Sequence, residues 1–76
     1  MEGYTRITRV HDSSQIVEVA YDVNDKIMRV EFQNGTSYTY RGISAQVYGN
    51  LVSSESIGKH FARYIRGQFH GEKVET

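Results

Sequence analysis

The pair Asn34-Gly35 stands between two segments whose side chains alternate in character, Ile27 to Phe32 and Thr36 to Arg41. Asn-Gly in that setting is the strongest short-range signal of a β-hairpin, because both residue types tolerate the positive φ a tight turn requires. The length of the loop then decides what Tyr38 and Tyr40 can do. A two-residue loop pairs Gln33 with Thr36 and sets both tyrosines opposite Glu31 and Arg29, facing solvent as a stacking platform. A three-residue loop, with Gly35 in the left-handed bulge position, pairs Phe32 with Thr36, Val30 with Tyr38 and Met28 with Tyr40, and the rings join the core. The second register is favoured, since it gathers the large residues of both strands on one face and leaves Arg29, Glu31, Ser37, Thr39 and Arg41 on the other. The hydroxyls would still seek partners at the rim of the core, which leaves a rim role in binding open.

Upstream, Ile16 to Tyr21 is rich in β-branched residues and alternates Val17, Val19 and Tyr21 against Ile16, Glu18 and Ala20. Turn formers at Asp22 to Lys26 lead from it into Ile27 to Phe32. These segments and Thr36 to Arg41 make a three-strand antiparallel meander, with Arg6 to Val10 as a candidate fourth, edge strand. After Gly42 the period changes. Ser44 is a candidate N-cap for Ala45 to Leu51, where Val47, Tyr48 and Leu51 share a face. Ser54 or Ser56 can cap a second helix with Ile57, Phe61, Tyr64 and Ile65 on its apolar side, and Gly67 is a natural stop. Strands followed by helices predict an α+β fold: a small antiparallel β-meander with two helices packed on one sheet face. No linker or repeat divides residues 1–76, so a single domain is expected, its core running from about residue 10 to 69 and its termini less ordered.

Seventy-six residues without cysteine must hold together by apolar burial or with help from a partner subunit, because a chain this short buries only roughly 60% of its extended surface. Homo-oligomerisation is therefore open. Nine Lys and Arg balance nine Asp and Glu, so any charge-driven partner must be recognised by a local patch. Charges at Glu2, Arg6, Arg9, Asp12 and Glu18 interrupt any signal-peptide core, and no apolar run is long enough for a bilayer span. A soluble, cytoplasmic protein without membrane association is the expectation.

Candidate chemistry is sparse. His11-Asp12-Ser13-Ser14 holds the residue types of a serine hydrolase, but neighbours in sequence cannot readily form the spatial relay, and the nucleophile elbow is missing. Asp22, Asn24 and Asp25 lack the glycine and distal glutamate of a calcium loop, so a hairpin turn is the better reading. His60 and His70 are too far apart for one helical turn, and no Gly-rich phosphate loop is present. Neither a metal nor another cofactor is expected, and no enzymatic activity.

At about 100° per residue, Lys59, Arg63 and Arg66 fall within about 60° of one another on the side of the second helix opposite its apolar face. Such a stripe is either a solvated face whose late cations complement the helix dipole or a contact for nucleic-acid phosphates. Arg29 and Arg41 on the polar sheet face could add a second contact area, opposed by Glu31.

Taken in order, Ser13-Ser14-x-Ile16, Val19-x-Tyr21-Asp22, Val30-x-Phe32-x-x-Gly35-x-x-Tyr38-x-Tyr40, Ser56-x-Gly58-x-x-Phe61 and Ile65-Arg66-Gly67 resemble the KTSC domain family over roughly Val10 to Phe69. The chain departs from the family's pattern at Ala20, where Gly is frequent, at Ser44, where Pro is common, and at Ala62, where Asn is. The family is named from a module at the C-terminus of some lysyl-tRNA synthetases and also occurs as small stand-alone proteins of bacteria and phages. The resemblance implies a structural role for the signature residues Tyr21, Gly35, Tyr38, Tyr40, Ser56, Gly58 and Phe61. The synthetase context points to RNA, which makes a small non-enzymatic RNA-binding module the leading expectation. A protein-interaction module docking on a host protein is the alternative, favoured by the balanced charge.

Overall fold

The structure, a computed structural model, describes residues 4, 6–11, 13 and 15–74. Strands β1 (Arg6–Arg9), β2 (Ile16–Asp22), β3 (Ile27–Phe32) and β4 (Ser37–Arg41) are followed by helix α1 (Ala45–Val52), helix α2 (Ile57–His60) and a last strand, β5 (Gly71–Lys73). All neighbouring pairs are antiparallel, and the order across the sheet is β1-β2-β3-β4-β5. The fold is α+β with a five-stranded sheet, more strands than the meander the sequence predicts. The helices lie on one side of it, and among the described residues no helix is long and apolar enough to cross a membrane.

The β3–β4 hairpin adopts the three-residue loop. Gly35 has φ 89°, Phe32 N donates to Thr36 O at 2.8 Å and Gly35 N to Phe32 O at 3.0 Å. The Asn34 carboxamide oxygen accepts from both the amide and the hydroxyl of Thr36. Val30 then pairs with Tyr38 and Met28 with Tyr40, which turns both tyrosines toward the helices. The β2–β3 connection is closed by Asp22, whose carboxylate accepts from the amides of Asn24 and Asp25. The Asp22 carboxylate thus serves the turn.

Two one-residue irregularities shift the phase expected from the sequence. A β-bulge between Ile16 and Glu18 inserts Val17 and returns Ile16, fully buried, to the core side with Val19 and Tyr21. In the second helix Ser56 provides the cap, its hydroxyl accepting from Lys59 N, but after His60 the helix widens into a π-helical turn over Phe61–Ile65. The bond from Arg66 N to Phe61 O, 2.9 Å, spans five residues. A turn closed that way advances less per residue than the roughly 100° of an α-helix. Ile57, Phe61 and Ile65 therefore stay on the core side, while Tyr64, expected there, is 48% exposed.

Beneath the helices, Val19, Tyr21, Met28, Val30, Ile43, Leu51 and Ile65 are essentially buried. Helix α1, capped by Ser44, sets Tyr48 flat on Tyr21, ring centroids 4.6 Å apart and planes at 9°. The Tyr21 hydroxyl donates to Ile43 O at 2.6 Å. Tyr48 and Thr8 join hydroxyls at 3.0 Å, tying α1 to the edge strand.

Candidate binding cleft

The helices cover the inner face of the sheet over β2 and β3 but leave its β4–β5 end open. Inward-facing Tyr38 pairs across the ladder with Lys73, and Tyr40 with Gly71. With Phe32, Phe61 and Arg66 these residues line a cleft of about 750 Å³ that runs to Gln15 and Gln33 at the β3–β4 loop. Its aromatic walls are mutually braced edge to face: Phe32 meets Tyr38 at 5.9 Å and Phe61 at 5.8 Å, and Phe61 meets Tyr40 at 5.5 Å. Each ring presents its positive edge to a neighbour's negative face, which fixes the orientations and leaves the Tyr38 ring half-buried at the surface.

Tyr40 is only 5% exposed. Its hydroxyl, unlike those of Tyr21 and Tyr48, has no hydrogen-bond partner among the described residues, and it reaches solvent through the cleft. Burial pushes the Tyr40 phenol above its ordinary pKa, the Arg66 guanidinium pulls it back and Tyr38 adds to the rise. Arg66 lines the same cleft as Tyr40. No Asp or Glu lines the cleft among the described residues, so Arg66 and Lys73 give it a positive charge in a chain that is neutral overall.

The cations singled out in the sequence are dispersed. Lys59 and Arg63 share a shallow surface with His60 and Tyr64, whose rings are 4.5 Å apart. Arg66 instead turns into the aromatic cleft. The continuous stripe expected from α-helical spacing is thus broken, because the π turn rotates Arg66 away from the other two. On the outer sheet face Arg41 faces Glu72 at 3.5 Å and Arg9 faces Glu18 at 3.8 Å. Arg29 sits among Glu18, Glu31, Ile7 and Ala20, so this surface carries mixed charge.

The remaining signature positions have visible mechanical roles. Gly35 makes the turn, Ser56 caps α2, and Phe61 links the core to the cleft. Gly58 passes so close to Ser13 that a Cβ there would lie 2.9 Å from the Ser13 oxygen. That oxygen accepts from the amides of Gln15 and Ile16 and so has a turn to hold; its sequence neighbours Asp12 and Ser14 lie outside the described residues. Among the described residues no cluster of His, Cys, Asp or Glu is arranged to hold a metal ion. Sequence reasoning missed Gln15, Lys73 and Gly71, which sit in segments of no apolar periodicity.

The family model for the KTSC domain matches residues 12–69. The chain belongs to the KTSC domain family. It is 31% identical over 58 residues to an uncharacterized protein of Stutzerimonas stutzeri, covering 76% of this chain and 82% of that one. A lysine–tRNA ligase of Nostoc punctiforme is 29% identical over 63 residues, which are 83% of this chain but 11% of the ligase. The crystal structure of a KTSC domain protein from Yersinia pestis superposes with a TM-score of 0.82 at 28% identity, covering 92% of this chain and 97% of that one. The KTSC domain here is accordingly a whole α+β unit in one relative and a small part of a much longer enzyme in another.

Proposed function

We propose that this KTSC domain is a small, non-enzymatic, cytoplasmic module that binds single-stranded RNA through the β4–β5 cleft. The observation that carries the reading is the convergence of a half-buried tyrosine ring, a buried tyrosine whose hydroxyl has no partner among the described residues, and two cations on one open surface that no described Asp or Glu lines. Unpaired bases stack on aromatic faces, and lysine and arginine neutralise the backbone alongside. A duplex hides its base faces and gains nothing from Tyr38. The relative that is a lysine–tRNA ligase supports RNA as the nucleic acid.

Fluorescence anisotropy of labelled single-stranded and duplex RNA at low and moderate salt tests this. Preference for the single strand, weakening with salt, is the expected result. Absence of binding at low salt, together with protein partners that survive nuclease treatment of a lysate, would replace RNA by a docking partner.

A further inference from the structure

Resting on that reading, we propose that the cleft is a receptor for one unpaired nucleotide: its phosphate is held by Arg66, Lys73 and the Tyr40 hydroxyl, and its base lies against Tyr38 toward Gln15 and Gln33. Size permits it. About 750 Å³ falls within the range of roughly 300–1,000 Å³ typical of small-molecule sites. From Tyr40 to Thr36 the strand rises about 13 Å, enough to separate a phosphate end from a base end.

The two ends differ in chemistry. On the β5 side the Arg66 guanidinium, the Lys73 ammonium opposite Tyr38 and the Tyr40 phenol, unpartnered among the described residues, are all able to donate, and no carboxylate of a described residue lines the cleft, so they call for an anion rich in acceptors. Gln15 and Gln33 at the other end carry both donors and acceptors, the complement of a base edge. Beside Lys73, its partner across the ladder, stands the Tyr38 ring, braced by Phe32.

Gly71 is the positioning residue of this receptor. A Cβ at that position would stand 2.6 Å and 2.7 Å from Tyr40 ring carbons and 2.9 Å from its hydroxyl oxygen. Only a bare backbone lets the phenol lie across β5 with its oxygen at the cleft.

The test is an amide-shift titration of the 76-residue protein with uridine 5′-monophosphate, uridine and inorganic phosphate. Uridine monophosphate should give saturable shifts at Tyr38, Tyr40, Arg66 and Gly71, with each fragment binding at least roughly tenfold more weakly. Arg66→Gln should weaken the nucleotide about tenfold and Tyr40→Phe about fivefold, as expected for lost charge-assisted donors, while both variants keep the parent's melting temperature within a few degrees. Gly71→Ala should weaken binding without altering charge. No saturable shift in the cleft, shifts centred on Lys59 and Arg63, or equal binding of uridine and its monophosphate would overturn the receptor. RNA binding that persists without nucleotide shifts in the cleft would overturn the receptor and leave the RNA reading standing. Nucleotide binding in the cleft without RNA binding would sink the RNA reading and support the receptor as a site for free nucleotides.

Discussion

The Ser13 hydroxyl oxygen lies 2.9 Å from the point at which a Cβ on Gly58 would stand. The same oxygen accepts from the amides of Gln15 and Ile16 at 3.1 Å and 3.0 Å, so one serine closes the turn into β2 while pressing on the first turn of α2. The absence of a side chain at Gly58 lets the turn before β2 and the helix meet there.

Gly58→Ala should therefore destabilise. A helical Ala in place of Gly gains at most about 1 kcal/mol, but the added methyl must rotate the serine away from two amides whose bonds are worth about 0.5–1.5 kcal/mol each. A net loss of about 1 kcal/mol is expected in urea melts. In a Ser13→Ala background the contact with oxygen is gone and the same substitution should be neutral or stabilising, giving a coupling of about 1–2 kcal/mol. Additive effects would show that the two residues do not press on each other.

Tyr21 and Tyr40 are both buried but should respond differently to removal of the hydroxyl. Tyr21 donates to Ile43 O, and Tyr21→Phe leaves a buried carbonyl short of its partner at a cost of about 1–3 kcal/mol. Tyr40 donates to no described residue, so Tyr40→Phe should be tolerated within about 0.5 kcal/mol. Tyr40→Ala, which empties ring volume against Phe61, should cost about 3 kcal/mol. Thermal midpoints of the three variants check the order.

The same two phenols make the fold sensitive to alkali. Burial raises both above the ordinary value of 10.0, with Asp22 adding to the rise at Tyr21. An acid whose folded pKa is raised keeps its full contribution below the unfolded pKa and loses it as pH climbs through the folded one. Stability should thus show no phenol-dependent change up to about pH 10 and decline above it. The Tyr21→Phe, Tyr40→Phe double variant should start lower and decline less steeply above that pH. Urea midpoints from pH 8 upward measure this, and an unchanged decline would assign it to other groups.

How far the sequence discloses this architecture depends on whether each feature is local. Asn34-Gly35 and the alternation around it select the hairpin register because turn chemistry and burial agree there, and Ser44 and Ser56 mark helix starts by their own hydroxyls. The bulge at Val17 and the π turn after His60 each add one residue to a period, and composition at neither place announces the addition. Strand β5 is Gly-Glu-Lys, without an apolar residue to alternate; backbone pairing with β4 and the Arg41–Glu72 ion pair hold it in the sheet. The cleft is hidden for the same reason. Phe32 lies far along the chain from Arg66 and Lys73, and only the placement of β5 beside β4 brings them together.

That placement divides the cations into two sets with different expected effects on RNA. Arg66 and Lys73 flank the aromatic cleft, while Lys59 and Arg63 lie with His60 and Tyr64 on a separate surface. Arg66→Glu with Lys73→Glu should abolish single-strand binding while the fold persists, since both side chains belong to exposed residues. For the parent, one phosphate held by both cations predicts a slope of log affinity against log salt of about −0.7, the contribution of one neutralised phosphate. Lys59→Glu with Arg63→Glu should lower affinity less than about threefold, through long-range charge alone, and leave that slope unchanged. Anisotropy titrations of both double variants across salt concentrations distinguish the surfaces. A slope that flattens only when Lys59 and Arg63 are replaced would move the RNA path to the outer helix face and leave the cleft without strand contact.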